Sequence, residues 1–249
     1  MKKIIVLFSF CLIVTIGYSQ VWKLKRFEVW GGVSVFQSFG DIGGSASSNT
    51  LFGLKDLSLK SSRPGISFGG IYRVNERIYL QGSNSFGFFT QTDKGSKNSI
   101  RNYAYSTIAD EISAQTQFFF IKEAQNYNYD IMGMRGGLNG INKHLSAYAF
   151  AGVGGLFFKV TAKESLVNSP RFSDSQSFTL AFPVGLGMKY AYTPALSFGV
   201  ELGARLTFTD KLDGLTTAYS KHNDFYYIMN FKAIYRLTKN KGLFQMFRK

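Results

Sequence analysis

The chain has 249 residues, 45% of them hydrophobic, which is enough for one sizeable domain. It carries 29 Lys+Arg against 15 Asp+Glu, a formal charge of +14, with 26 Gly, 25 Phe, 14 Tyr and a single Cys. The apolar and aromatic content excludes disorder, and one cysteine excludes a disulfide scaffold. After the N-terminus no apolar run reaches the roughly 18–20 residues of a spanning helix.

The first element is a leader. Met1-Lys2-Lys3 is a positive start, Ile4–Ile16 is apolar, and Gly17-Tyr18-Ser19 sets small residues before a cut at Gln20. Residues 1–19 are therefore expected to be a secretory signal peptide. Cys11 follows Phe10 rather than the small residue that lipid attachment needs, so it leaves with the leader. The expected organisation is a signal peptide at 1–19, a barrel at 20–238 and a basic tail at 239–249.

Period-two alternation fills the rest of the chain. In order, the segments are Phe27–Phe39, Pro64–Val74, Arg77–Phe89, Thr107–Lys122, Leu145–Val160, Phe178–Tyr190, Leu196–Phe208 and Phe225–Leu237. The seventh is the clearest. Leu196, Phe198, Val200, Leu202, Ala204, Leu206 and Phe208 share one face, and Ser197, Gly199, Glu201, Gly203, Arg205 and Thr207 the other. A soluble sandwich would show water long polar side chains on its second face. Here that face holds Gly, Ser, Ala and a few charges. Small residues suit a narrow lumen, and the apolar face suits lipid with aromatic girdles. The fold expected is all-β: an eight-stranded antiparallel transmembrane β-barrel of the outer membrane.

The connections agree with an outer-membrane barrel. Those after the first, third, fifth and seventh segments run about 14–25 residues, long against the tight turns expected on the periplasmic side. Asn75-Glu76 and Ala191-Tyr192-Thr193-Pro194 are such turns. Glu123–His144 breaks the pattern by being long on the short side, and reads as a structured periplasmic excursion and docking surface.

An eight-stranded barrel is just filled by its own side chains. The charged residues read as inward are Glu28, Arg73, Glu111, Lys189, Glu201, Arg205, Lys232 and Arg236. Charges in a low-dielectric lumen must pair, so they should form a structural network that plugs the barrel. Glu201 and Arg205, four apart on one strand, should have different partners. Asp41, Asp210 and Asp213 lie beyond the rim, where carboxylates brace loops through backbone N–H groups.

Lys23, Lys25 and Arg26 before the first segment, and Lys239, Lys241, Arg248 and Lys249 after the last, concentrate positive charge on the periplasmic side. Phospholipid headgroups or an acidic periplasmic partner suit it better than nucleic acid. Enzymatic chemistry finds little support. His144 and His222 are the two histidines, and His222 shares its loop with Asp210, Asp213 and Asp224. No G-x-S-x-G or H-E-x-x-H segment is present, and Gly152-x-Gly154-Gly155 precedes no helix pattern. The chain is expected to be no enzyme, with no cofactor, metal or small-molecule substrate.

Several segments carry a family likeness. They are Phe182-Pro183-Val184-Gly185-Leu186-Gly187-Met188-Lys189-Tyr190, and Glu201-Leu202-Gly203-Ala204-Arg205-Leu206-Thr207-Phe208-Thr209-Asp210-Lys211-Leu212-Asp213 with Tyr219 beyond. Earlier come Phe39-Gly40-Asp41-Ile42-Gly43-Gly44, Arg63-Pro64-Gly65-Ile66, Glu111 and Phe118-Phe119-Phe120. This pattern resembles the Bacteroidota family of small outer-membrane barrels that includes PorG of the type IX secretion system. Lys211, Gly214 and Leu215 depart from the family pattern in the last outer loop. The resemblance implies a barrel that anchors the ring-forming periplasmic subunits of that secretion and gliding machinery. The alternative is a generic small structural or adhesive barrel.

Overall fold

The structure is a computed structural model that describes residues 26–39, 42, 61–94, 100–123, 144–170, 172, 176–209, 212, 214 and 225–237. Eight strands form a closed antiparallel barrel in sequence order: β1 Phe27–Phe39, β2 Arg63–Arg73, β3 Ile78–Thr92, β4 Tyr103–Ile121, β5 Leu145–Glu164, β6 Gln176–Ala191, β7 Leu196–Thr207 and β8 Phe225–Arg236. β1 pairs with β8 from Glu28↔Arg236 to Phe39↔Phe225, and this seam removes both sheet edges.

The alternation read from the sequence becomes inside and outside. On β7, Ser197, Glu201, Arg205 and Thr207 are buried, whereas Phe198, Leu202 and Leu206 are exposed. The first segment matches β1 residue for residue. β3, β4 and β5 run further than their apolar alternation, because the added residues 90–92, 103–106 and 161–164 are mostly polar or small. The connections after β3 and β5 are correspondingly shorter than expected, at 93–102 and 165–175. β4 and β5 rise to the pair Tyr103↔Glu164, where Lys94 bonds Glu164 at 2.6 Å and Asp93 bonds Arg101 at 2.8 Å. A 3-10 turn at Ser165–Asn168 follows.

Large aromatic rings also point inward, which the small-residue face did not foretell. Trp30, Ile71, Tyr79, Phe119, Tyr148, Phe150 and Ile234 form one buried cluster. Phe36, Phe89, Tyr105, Leu156, Phe158, Val160 and Tyr226 form another, capped by Ile42, Leu166 and Leu212 from the long connections. Glycines on the neighbouring strand make the room. A Cβ at Gly185 would meet the Phe150 ring, and one at Gly187 or Gly65 the Tyr148 or Phe36 ring. Each ring thus fills space that its glycine vacates, which keeps a narrow lumen at interior packing density.

Outside, the belt is apolar. Aromatic pairs gather near both rims: Phe27 with Tyr72 and Tyr192 with Phe198 at the short-turn end, Phe39 with Phe225 and Phe182 with Phe208 at the other. One outward polar contact interrupts the belt, where Asn84 donates to Asp110 at 2.6 Å between β3 and β4.

Candidate functional site

Among the described residues, nine buried charged side chains stand in the lumen in three groups. At the short-turn end, Lys189 on β6 donates to Glu28 on β1 at 2.7 Å and lies 3.3 Å from Glu123, two residues past β4. Arg236 on β8 binds Glu28 through Nε at 2.9 Å and Glu123 through Nη2. The Tyr79 hydroxyl donates to Glu123 at 3.2 Å. Arg73 stands over the Tyr79 ring, 5.1 Å from its centroid, and its buried Nε and Nη2 have no hydrogen-bond partner.

In the middle, Glu201 accepts from Lys232 at 2.5 Å, from Tyr148 at 3.0 Å and from Asn230 at 3.3 Å. Lys232 also donates to Gln81 at 3.0 Å and sits 4.2 Å from the centre of the Trp30 ring. Gln117 and Ser34 extend this polar layer to Gln81 and Asn230. Nearer the long loops, Arg205 bonds Glu111 at 3.3 Å and Tyr226 donates to the same carboxylate at 2.7 Å. Every charge but that of Arg73 is thus in an ion pair, as buried charges require.

All eight charged residues named from the sequence stand on the inward face and are buried. The structure brings seven of them into ion pairs, and Arg73 stands by Tyr79 instead. Glu201 and Arg205 have different partners, but Arg205 reaches across the lumen to β4 rather than to a neighbouring strand. Asp41, Asp210, Asp213 and His222 lie outside the described residues, as do the leader, the basic tail and residues 124–143 of the long connection. His144 precedes β5 at the short-turn end, its ring 6.2 Å from that of Tyr190.

Sequence reasoning missed Glu123, which it placed at the start of the excursion. The structure keeps it in the lumen, two residues past β4 and on the same parity as Glu111 and Phe119, although an irregularity between Phe119 and Ile121 leaves Ile121 exposed. It also missed Tyr79, Tyr148 and Tyr226, whose hydroxyls each bond a buried carboxylate. The signal was present, since each is a tyrosine at an inward position of its strand.

Burial alone would raise the Glu123 carboxyl. The Lys189 and Arg236 charges overcome that and hold it below the usual carboxylate range. A depressed pKa in the folded barrel gives stability that is full above the unfolded value, about 4.3, and is lost as pH falls below it. Glu123→Gln is expected to lower the unfolding temperature at pH 7. The gap to wild type should close as pH falls from about 4.3, the unfolded value. Thermal melts of both proteins across that range check it.

The arrangement can hold the wall closed and block passage. Among the described residues no group of three or more His, Cys, Asp or Glu could hold a metal.

The fold is similar to solved outer-membrane barrels. The attachment invasion locus protein Ail of Yersinia pestis has 13% identity and a TM-score of 0.42, over 86% of this chain and 99% of that one. OprG from Pseudomonas aeruginosa has 10% identity and a TM-score of 0.44, over 86% and 96%. Outer membrane protein W of E. coli has 14% identity and a TM-score of 0.39, over 88% and 100%. No curated protein matches the sequence. A family model described as a domain of unknown function, DUF6089, matches residues 64–236, from the second residue of β2 to the end of β8, and the chain belongs to that family.

Proposed function

We propose that this chain is a non-conducting, non-enzymatic outer-membrane barrel that anchors periplasmic ring-forming subunits of the type IX secretion and gliding machinery. One observation carries the anchoring part of this reading. The exterior is an apolar belt between aromatic rims, while the lumen is crossed by ion pairs and filled by two apolar clusters. Such a barrel holds a place in a bilayer but offers no water-filled path. The secretion partner rests on the resemblance of the late strand motifs, with the end of β4, the start of β1 and the end of β8, where the long connection and the basic termini attach in sequence, at one rim of the barrel.

Two measurements test it. The purified barrel in planar bilayers is expected to give no stepwise conductance. Deleting the chain in its source organism is expected to strand proteins bearing type IX sorting domains in the periplasm, with recovery on complementation. Normal secretion in the deletion strain would remove the machinery from the proposal. The generic structural or adhesive barrel would then stand, favoured by Ile42, Leu166 and Leu212, whose side chains cap the lumen at the long-loop end.

A further inference from the structure

The outward glycines Gly31, Gly70 and Gly82 have no packing reason to be glycine, unlike the inward ones. A Cβ at Gly32 or Gly69 would collide with a neighbouring backbone carbonyl, whereas one at Gly82 would meet nothing within 4 Å, and at Gly70 only the Glu28 carbonyl oxygen at 3.9 Å. Glycine weakens a strand and removes apolar surface from a lipid-facing wall. Yet Gly70, Gly82 and Ala114 stand side by side in direct register on β2, β3 and β4. Val29 on β1 and Val153 on β5 end the same row. Larger residues flank it, with Tyr72, Leu80 and Thr116 on one side and Phe68, Asn84 and Ile112 on the other.

The result is a groove of about 650 Å³ in the outer wall, open to the short-turn rim at Phe27, Tyr72 and Leu237. Four strand spacings of about 4.8 Å make it roughly 19 Å long. That suits one leaflet of a hydrocarbon core about 30 Å thick, for a path inclined to the normal. Arg26 stands where the groove meets the rim, its guanidinium donating to the Tyr72 hydroxyl at 2.9 Å. In sequence Lys23 and Lys25 precede it, and Lys239 and Lys241 follow Leu237. An apolar groove that ends at an arginine on a basic rim matches one amphiphile: an anionic head on an acyl chain.

We propose that this groove binds one anionic phospholipid of the leaflet at the short-turn end. Its acyl chain crosses Gly70, Gly82 and Ala114, and its phosphate meets Arg26. The inference rests on the membrane reading above. Small residues in the row let the chain lie against the backbone, and Tyr72 holds the guanidinium at headgroup depth.

The test is native mass spectrometry of the full barrel released from detergent with added phosphatidylglycerol or phosphatidylcholine. A folded barrel, seen as fast migration of the unheated protein on a gel, confirms the membrane reading first. Failure to fold in detergent and in vesicles would sink that reading rather than the groove. Wild type should retain one phosphatidylglycerol. Gly82→Leu should retain it about tenfold less, and Arg26→Gln should lose the preference over phosphatidylcholine. Gly31→Leu, outward on β1 and outside the groove, should bind as wild type does. Ala114→Leu repeats the test if Gly82→Leu does not fold. Equal retention in the groove variants overturns the proposal. So does a dimer that Gly82→Leu splits, which would make a second copy the occupant.

Discussion

Replacing Gly32 with valine is expected to prevent closure of the barrel, while the same change at the adjacent Gly31 leaves it folded. Gly32 lies at the seam, paired with Lys232 on β8. An added Cβ there would overlap the backbone carbonyl of Phe231, an atom held in the β1–β8 ladder. No side-chain rotation relieves that contact, so the strands must part. The cost should reach or pass the upper end of the overpacking range, about 3 kcal/mol, against a typical total of about 5–15. Gly31 points outward with nothing within 4 Å, so valine there gains strand propensity and apolar surface. Gel mobility of unheated samples separates the outcomes. Gly32→Val should run as unfolded protein and Gly31→Val as the compact barrel. Two compact barrels would mean that the seam is looser than the register implies.

Lys232→Met should be the most damaging single change within the polar layer. It leaves Glu201, fully buried, with only the Tyr148 and Asn230 donors. Breaking a buried pair by removing one partner costs about 3–5 kcal/mol, because the remaining charge is uncompensated. Methionine keeps the length of the lysine stem and its contact with the Trp30 ring, so the loss is mainly electrostatic. Adding Glu201→Gln removes the orphaned charge and keeps an acceptor for Tyr148. The double variant is therefore expected to recover more than half of the loss. Urea titrations of all four proteins in one detergent give the coupling energy. Additive losses would show that the two side chains do not depend on each other.

The sequence showed the barrel because a lipid-facing wall must be apolar at every second residue, and eight such runs stand between connections that alternate in length at every place but the one after β4. The end of β1 was legible to the residue, since apolar alternation stops where the strand stops. β4 and β5 were not, because the outward residues of their added ends, Ser106, Thr161 and Lys163, are polar, so the apolar alternation stops although Tyr105 is buried. The charged lumen was legible for a similar reason: Glu28 or Lys189 is conspicuous among small residues. Glu123 escaped because it lies two residues past the end of β4, where the exposed Ile121 and Lys122 hide the inward parity it shares with Glu111 and Phe119. The inward rings escaped because glycine spacing on one strand does not tell which ring on another fills the gap. The β5–β6 register is what sets Phe150 against Gly185, and the curved wall is what brings Tyr148 to Glu201 two strands away.

The bonds at the short-turn end also set when the barrel can form. Lys189 lies 161 residues beyond Glu28, and Arg236 lies 208 beyond it. The seam joins the first strand to the last. The Arg236 contact and the seam cannot form until almost the whole chain has been delivered, and loop closure over such distances makes folding slow. Until then β1 presents an unpaired edge and a buried-type carboxylate to water. The chain thus reaches its membrane as a long-lived, aggregation-prone intermediate. Until β8 arrives, its apolar strand faces and the β1 edge stay open to aggregation.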